Sequence, residues 1–328
     1  MSEWAERIYR LAPRFAQNAL LSAEGARIVR SRYGKDFKGL LEAYESRSHL
    51  ERDSLDEFVN ARLRATLRRA VAECDFYRRE PYLQASVDPT FGVRDLSALP
   101  ILTKDTVREN VDRIVADDSR SGCATVHTSG TTGAGLVFPS TQRGLSEQWA
   151  VWWRYRRWHG IDLGEWSAHF GGRNISADRS PHWRLDRGQK RILFSAYHTN
   201  ETDLAELVEV LRARRPRWLH GYPSFISLVA NHLLSTGETL GYEPKWITTG
   251  AENLLESQAS CIERAFGVAP IQHYGLAEAV VNASQCELGR MHVDEDFGTL
   301  EIVNDQVIGT GFANDAFPLV RYATNDTG

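Results

Sequence analysis

The stretch HTSGTTGAGLVFPS, from His127 to Ser140, carries more information about fold and ligand than any other part of this chain of 328 residues. Its segment 128–133 combines four hydroxyl side chains with two glycines. Glycines let the backbone approach a ligand closely, and successive N–H groups in such a turn bind anions. The flanking segments 124–126 and 136–138 favour β-strands. We therefore predict a strand, a phosphate-binding loop and a second strand, with a plain surface hairpin as the alternative.

The composition is that of a globular protein, with 42% hydrophobic and 25% charged residues and a formal net charge of −4. This balance argues against a nucleic acid as the main partner. The longest stretch free of Asp, Glu, Lys and Arg, 121–142, is rich in Ser, Thr and Gly, so we expect no transmembrane segment. The charged N-terminus is unlike a secretory signal, and the four cysteines show no CxxC pair. We therefore expect a cytoplasmic protein.

Residues 3–34 and 48–80 show apolar side chains at helical spacing, which predicts amphipathic helices with charged outer faces. In the first segment the apolar face is formed by Ile8, Leu11, Phe15, Leu20 and Leu21. We predict that residues 1–95 form a helical N-terminal region packed on the core. A further helix should begin after Thr103, which is a good N-cap.

The remaining segment, 96–328, is predicted to form an α/β core. Short β-forming runs alternate with helical segments from Ile192 onward, which predicts a mostly parallel sheet flanked by helices. The tail 292–322 predicts a small antiparallel element. A helix over 145–159 carries five aromatic side chains that either pack against a sheet or line an acyl pocket. They are Trp149, Trp152, Trp153, Tyr155 and Trp158.

Two familiar nucleotide motifs do not describe the glycine loop. Gly133 is followed by Ala134 and Gly135 instead of the Lys-Ser/Thr of a P-loop, and no GxGxxG opens a helix. The loop, with Pro139 six residues after its last glycine, instead resembles the phosphate loop of the adenylate-forming (ANL) superfamily. That superfamily includes acyl-CoA ligases, peptide-synthetase adenylation domains and luciferases.

Three further motifs follow in the order of that superfamily. The segment 250–252 (GAE) is similar to its adenine-edge segment, and 273–278 (HYGLAE) resembles its YGxTE motif. The segment 317–326 (FPLVRYATND) resembles the MPLIRYRTGD stretch of the phenylacetate-CoA ligase branch. Within that branch, RYGKDF at 32–37, LPILTK at 99–104 and HGYPS at 220–224 resemble the CapK-type proteins of capsular polysaccharide biosynthesis. The resemblance covers essentially the whole chain and implies the large N-terminal domain of such an enzyme.

The resemblance implies that the chain uses ATP and Mg²⁺ to turn a small carboxylic acid into an acyl-adenylate. Glu278 then supplies the magnesium ligand, while Thr131 and Thr132 take part in catalysis. Tyr274 stacks on the adenine, and Asp326 accepts the ribose hydroxyls. The residues implied in nucleotide binding are Thr128, Ser129, Gly130, Thr131, Thr132, Gly133, Gly250, Ala251, Glu252, His273, Tyr274, Gly275 and Asp326.

Other candidate residues concern the acyl group and a second metal. His169, Arg173, His182 and His220 are candidates for an acyl or acceptor pocket, with a structural histidine as the alternative. Cys286 and His292 form a C-x5-H pair that in this branch can be half of a structural zinc site. CoA is the implied co-substrate, and a homodimer or a carrier or acceptor partner stays open.

Departures from the family pattern keep three functions open. Ala277 replaces the threonine of YGxTE, and the chain stops two residues after Asp326, so we expect the small mobile C-terminal domain to be missing. The first function is a ligase that passes the acyl group to CoA or another acceptor. The second is a non-catalytic nucleotide-binding pseudo-ligase or partner-dependent subunit. The third is an adenylyltransferase that acts on a hydroxyl group in polysaccharide biosynthesis.

Overall fold

A computed structural model describes residue 9 and residues 11–119, 121–128, 135–172, 175 and 180–327. The helices, in chain order, are α1 (Arg14–Arg32), α2 (Phe37–Arg47), α3 (Arg52–Glu73), α4 (Tyr82–Val87), α5 (Lys104–Glu109), α6 (Val111–Ile114), α7 (Gln142–Trp158), α8 (Glu201–Arg214), α9 (Pro223–Thr236) and α10 (Glu256–Phe266). The strands are β1 (Ala124–His127), β2 (Val137–Ser140), β3 (Ser167–Gly171), β4 (Trp183–Asp186), β5 (Arg191–Ser195), β6 (Trp218–Gly221), β7 (Trp246–Thr249), β8 (Pro270–Gly275), β9 (Asn282–Gln285), β10 (Met291–Val293), β11 (Gly298–Val303), β12 (Gln306–Gly311) and β13 (Tyr322–Thr327).

The chain forms two compact units that are each discontinuous in sequence. Unit 1 comprises Met1–Arg30, Arg156–Tyr274 and Gln285–Arg290. Unit 2 comprises Ser31–Tyr155, Gly275–Ser284 and Met291–Gly328. The boundary after residue 95 proposed from the sequence stays a prediction.

Unit 1 is built around a mostly parallel sheet, as the alternation of strands and helices predicted. Its strand order is β8-β7-β6-β3-β5-β4, in which β4 alone pairs antiparallel, at the edge. Apolar side chains of the strands pack against α8, α9 and α10, and Phe170, Leu219 and Ile247 lie at the centre of this core. Because the strands are parallel, the loops that follow β3, β6, β7 and β8 leave the sheet at one edge.

Unit 2 contains two further antiparallel elements. The two strands predicted on either side of the glycine loop, β1 and β2, pair antiparallel, with Val126 opposite Phe138. The tail forms a three-stranded antiparallel sheet in the order β11-β12-β13, which confirms the small element predicted for this region. Thr103 caps α5 as predicted, because its hydroxyl accepts a hydrogen bond from the backbone N–H of Thr106 at 3.1 Å.

The predicted buried face of the first helix is wrong. Leu11 and Phe15 are 79% and 76% exposed, whereas Gln17 and Gly25 of α1 are buried. A Cβ atom at Gly25 would lie 2.0 Å from a carboxylate oxygen of Asp186. The side chain of Gln17 accepts a hydrogen bond from Arg184. The face of α1 that packs in unit 1 is therefore set by the close approach at Gly25 and by the buried contact of Gln17. The spacing of the apolar residues does not identify this face.

The aromatic residues of α7 pack and form hydrogen bonds within unit 2. Trp152 Nε1 donates to Asn282 Oδ1 at 2.8 Å, and Trp153 Nε1 donates to the Tyr33 hydroxyl at 2.9 Å. Trp149 is buried beneath the guanidinium of Arg32, which lies 3.9 Å from the ring centroid. These contacts support the packing interpretation of this helix over the acyl-pocket interpretation.

A buried ion cluster lies on the same helix. Arg154 Nη2 lies 2.6 Å from Asp294 Oδ1 and 2.9 Å from Asp296 Oδ1. Arg47 Nε lies 2.7 Å from the other oxygen of Asp296, and the Ser284 hydroxyl donates to Asp294 Oδ2 at 2.7 Å. Burial raises the pKa of Asp294, and the positive charge of Arg154 is the largest effect that opposes this shift.

A helix that spans a membrane must contain about 20 predominantly apolar residues. None of the helices within the described ranges meets this requirement.

Candidate nucleotide site

The described part of the glycine loop is its base. The backbone N–H of Thr128 donates to Leu136 O at 3.0 Å, and the N–H of Leu136 donates to Thr128 Oγ1 at 2.9 Å. A Cβ atom at Gly135 would lie 2.1 Å from Thr128 O, so only glycine fits here. Thr128 therefore closes the loop, a role that the sequence did not suggest. The predicted phosphate ligands Ser129, Gly130, Thr131, Thr132 and Gly133 lie outside the described residues.

The residues predicted to bind adenine gather at the carboxyl edge of the unit 1 sheet. The segment 250–252 follows β7, and His273 and Tyr274 end the neighbouring strand β8. The backbone N–H of Gly250 donates to Gly221 O at 3.3 Å, and a Cβ atom at Gly250 would lie 3.7 Å from His273 O. The structure thus brings Gly250 and His273 together at the sheet edge where parallel sheets bind ligands, and their role in binding adenine stays a prediction.

The loop after β7 is held by its own acidic residue. Ala251 has a positive φ of 66° and is exposed, as is Glu252. Glu252 Oε2 accepts a hydrogen bond from the backbone N–H of Ser224 at 3.3 Å, at the N-terminus of α9. A carboxylate at a helix N-terminus is favourable. The side chain of Glu252 therefore anchors the loop, and the loop backbone remains exposed for a ligand.

Glycine is required where β6 ends. Gly221 has a φ of 153°, and a Cβ atom there would lie 2.0 Å from Phe170 O of the adjacent strand β3. Directly after β3, a Cβ atom at Gly172 would lie 3.0 Å from the Tyr222 hydroxyl. The close approach of the chain at the ends of β3 and β6 therefore explains why glycine occupies positions 172 and 221.

Glu278 lies in a turn between β8 and β9, which excludes the simple explanation of an acidic residue at a helix N-terminus. Its side chain is 7% exposed, and its Oε1 accepts a hydrogen bond from the Tyr322 hydroxyl at 3.1 Å. Removal from water, with the Glu278 charge as a further cause, raises the pKa of Tyr322, so its phenol keeps its proton and acts as the donor. The sequence did not predict this contact, although both residues belong to motifs quoted above.

The backbone around Glu278, which we call the Glu278 turn (residues 276–280), is held from two sides within unit 2. Gln148 Nε2 of α7 donates to Leu276 O at 2.7 Å. Cβ atoms at Gly298 and Gly311 would lie 2.3 Å from Val280 O and 2.5 Å from Ala279 O. The two glycines of β11 and β12 therefore let the Glu278 turn pack directly on the small sheet.

Asp326 is placed by an irregularity in the same sheet. The register between β12 and β13 shifts between Gln306 and Ile308, and Asn325 has a positive φ of 67°. Asparagine tolerates this conformation better than most residues do. The backbone N–H of Asp326 donates to Thr324 Oγ1 at 3.1 Å, and the half-buried Asp326 is thereby presented at the end of β13.

The histidine candidates have structural partners. His169 and His220 lie opposite each other on β3 and β6, and His220 Nδ1 lies 2.8 Å from Thr248 Oγ1. His182 stacks on His198 with 3.7 Å between ring centroids, and its Nε2 lies 3.5 Å from Asp203. These contacts favour the structural alternative for His182 and His220. The fourth candidate, Arg173, lies outside the described residues.

His220 should make the protein less stable in acid. Removal from water lowers its pKa well below the 6.5 of a free histidine, and the positive charges of Arg156, His169 and Arg191 add to this effect. The unfolded chain then binds a proton that the folded chain does not, so stability is lost as pH falls below about 6.5, by up to about 1.4 kcal/mol per pH unit.

Replacing His220 with glutamine should therefore reduce this slope, which urea denaturation at pH 7.0, 6.0 and 5.0 would measure. The matched control is His49→Gln, because His49 is exposed. Equal slopes for His220→Gln and the wild type would contradict the assignment.

The zinc expectation gains no support. Among the described residues, no group of three or more His, Cys, Asp or Glu side chains has the arrangement of a metal site. Cys286 is a free, half-buried thiol, and His292 is exposed in β10. Two ligands do not make a tetrahedral site.

The chain is similar in sequence to known proteins of the two types that its motifs resemble. No family model matches the chain. It is 26% identical to protein CapK of Staphylococcus aureus over 329 residues, which cover 98% of this chain and 72% of that protein. It is 24% identical to the phenylacetate-coenzyme A ligase of Escherichia coli (strain K12) over 310 residues, which cover 84% of this chain and 67% of the ligase.

The fold matches solved structures of 2-hydroxyisobutyryl-CoA ligase. The match to its postadenylation state in complex with 2-HIB-AMP has a TM-score of 0.63 at 16% identity and covers 84% of this chain and 63% of that one. The match to an open conformation with 2-HIB-AMP and CoA has a TM-score of 0.58 at 16% identity and covers 82% and 64%. The chain thus spans less than two thirds of the length of these structures. In motifs and sequence, the chain is similar to protein CapK and to phenylacetate-CoA ligase, and in fold it is similar to a solved adenylate-forming ligase.

Proposed function

We propose that this chain binds ATP with Mg²⁺ and activates a carboxylic acid as its acyl-adenylate, with CoA or another acceptor taking the acyl group. The observation that carries the proposal is Glu278, a buried carboxylate held by the Tyr322 hydroxyl at 3.1 Å in a turn packed on glycines. A buried carboxylate is costly unless it is paired or binds a cation. Its position in the HYGLAE segment matches the family motif that binds the metal.

The donor set fits magnesium. Mg²⁺ usually takes one or two protein carboxylates and completes its octahedron with water and phosphate oxygens. Glu278 offers one such carboxylate, and among the described residues its Oε2 accepts no hydrogen bond. When bound, the ion offsets negative charge on the phosphate oxygens of the nucleotide.

The nucleotide itself is assigned to residues that the sequence singled out. We assign the adenine edge to the backbone of Gly250, Ala251 and Glu252, which Glu252 anchors through Ser224. Tyr274, at the end of β8, would stack on the adenine face, next to His273 and Gly275. Asp326 would accept the ribose hydroxyls with its two carboxylate oxygens.

The phosphates are assigned to the glycine loop. The segment 129–134 connects β1 to β2 in sequence, and hydrogen bonds between Thr128 and Leu136 join the described residues on either side of it. Backbone N–H groups and the hydroxyls of Ser129, Thr131 and Thr132 would hold the leaving pyrophosphate. Donors aimed at the charge that develops on the leaving group lower the barrier to attack by the acid's carboxylate.

One observation favours a second candidate, a nucleotide-binding module without catalysis. Ala277, which is exposed in the Glu278 turn, stands where the family motif has a threonine. The hydroxyl missing at this position is a donor worth about 1–3 kcal/mol toward a charged oxygen. The Mg²⁺ and adenine assignments are the same for both candidates, so only catalysis separates them.

The test is ATP binding by calorimetry with MgCl₂, followed by ATP–pyrophosphate exchange with a panel of carboxylic acids. Exchange that depends on one class of acid supports the ligase. ATP binding without exchange for any acid favours the binding module. If the protein binds no ATP in the presence of Mg²⁺, both candidate functions are wrong.

A further inference from the structure

We propose that Tyr322 is a positioning residue that holds Glu278 as a one-oxygen ligand and so sets a preference for Mg²⁺ over Ca²⁺. The inference rests on the proposed function, because it concerns the cation that accompanies ATP. Tyr322 is not itself a metal ligand. Its contact with Glu278 predicts a preference between cations, which the assignment of Glu278 as a ligand does not predict.

The two oxygens of the Glu278 carboxylate differ in their hydrogen bonds. Glu278 Oε1 accepts the hydroxyl proton of Tyr322 at 3.1 Å, and both side chains are buried, Tyr322 completely. Among the described residues, Oε2 accepts no hydrogen bond. One oxygen is therefore engaged on the protein side, and the other remains for a ligand.

This difference between the two oxygens affects how Glu278 can bind a cation. Mg²⁺ demands near-octahedral geometry with oxygens at about 2.0–2.1 Å, whereas Ca²⁺ accepts bidentate carboxylates at about 2.3–2.6 Å. A bidentate cation needs both oxygens of Glu278 facing it equally. A donor within hydrogen-bond distance of Oε1 opposes that orientation and favours binding through Oε2 alone.

The Tyr322 hydroxyl can be removed without moving the backbone of the Glu278 turn. Gln148 holds Leu276 O, and the glycines of β11 and β12 pack against the carbonyls of Ala279 and Val280. A Tyr322→Phe variant keeps the buried ring, so the freedom it adds is rotation of the Glu278 side chain. The backbone of the Glu278 turn should stay in place.

The experiment measures the affinity of the whole chain for ATP by calorimetry at increasing concentrations of MgCl₂ or CaCl₂. Tyr77→Phe is the matched control, because Tyr77 is also fully buried in unit 2 and its hydroxyl donates to Pro318 O at 2.8 Å. Tyr322→Phe loses one buried phenol hydrogen bond, whereas Tyr77→Phe loses two, because the Tyr77 hydroxyl also accepts from the backbone N–H of Val320 at 3.4 Å. The melting temperature of the control should therefore fall at least as far. Only Tyr322→Phe changes the donor to Glu278.

We expect Tyr322→Phe to weaken the Mg²⁺-dependent part of ATP affinity roughly tenfold, the loss typical of a hydrogen bond to a charged group. The affinity in CaCl₂ should change by less than about threefold, because a freed carboxylate can bind Ca²⁺ through both oxygens. The ratio of Mg²⁺ to Ca²⁺ affinity should therefore fall in this variant and stay unchanged in Tyr77→Phe.

The outcomes separate this inference from the proposed function. If the wild type binds ATP with Mg²⁺ and both variants keep its ratio of Mg²⁺ to Ca²⁺ affinity, Tyr322 has no positioning role and the proposed function stands. If the ratio of Mg²⁺ to Ca²⁺ affinity falls equally in both variants, the cause is general destabilisation and the inference is wrong. A wild type that binds no ATP in either salt overturns both.

Discussion

Glu278→Gln should weaken the Mg²⁺-dependent part of ATP affinity by roughly 100-fold, because loss of a residue that merely supports a metal ligand already costs about 10–100-fold in metal affinity or activity. Glutamine keeps the shape of the side chain, and its carbonyl oxygen can still accept the Tyr322 hydroxyl. What it removes is the negative charge that a divalent cation needs. Calorimetric titration of ATP at fixed MgCl₂ concentrations would measure the loss.

The control for this prediction is Glu256→Gln, which neutralises an exposed glutamate at the start of α10. It should leave the Mg²⁺ dependence unchanged. ATP binding in the absence of divalent cation should be the same in Glu278→Gln and the wild type, because the adenine and ribose assignments do not involve Glu278. A Glu278→Gln protein with the Mg²⁺ dependence of the wild type would refute the metal assignment.

Arg154→Met should lower the free energy of unfolding by about 3–5 kcal/mol, because it leaves the buried Asp294 without its cation and Asp296 with Arg47 alone. Arg154 contacts both Asp294 and Asp296 within 3 Å, and all three side chains are buried. Methionine fills similar volume without charge. Urea denaturation at pH 7 would measure the difference, with Arg157→Met, an exposed position of the same helix, as the control.

The same variant should recover stability in acid. Burial raises the pKa of Asp294 above the 3.8 of a free carboxyl group, and loss of Arg154 raises it further. The folded chain then binds a proton more readily than the unfolded chain, so its deficit relative to the wild type should shrink as pH falls from 7 to 5. A deficit below about 1 kcal/mol at pH 7, or one that is the same at both pH values, would show that the cluster does not need Arg154.

Much of the fold was predictable because its signals are local. The β-forming runs that lead into helices after residue 192 became the parallel strands of unit 1, and the tail became an antiparallel sheet. Glycines at the ends of α9 and α10, Gly237 and Gly267, have the positive φ typical of a helix C-terminus. Such signals need no knowledge of distant residues.

The composition of the candidate site was also predictable, in part. Gly250 and His273 lie together because parallel strands deliver their carboxyl ends to one edge, which follows from the strand pattern. Hydrophobic spacing failed for α1, where Gln17 and Gly25 are buried and Phe15 is exposed. Spacing describes a helix alone, whereas the buried face depends on the surface it meets.

Local sequence patterns were enough to predict the α/β core, the two strands on either side of the glycine loop and the residues proposed to bind ATP. How two of those motifs contact each other could be seen only in the folded chain. Tyr322 and Glu278 are 44 residues apart, and Arg154 and Asp294 are 140 apart. Their contacts depend on strand register, on the bulge in β13 and on glycines that admit a close turn. No local pattern encodes these features, because each depends on the packing of segments far apart in the chain.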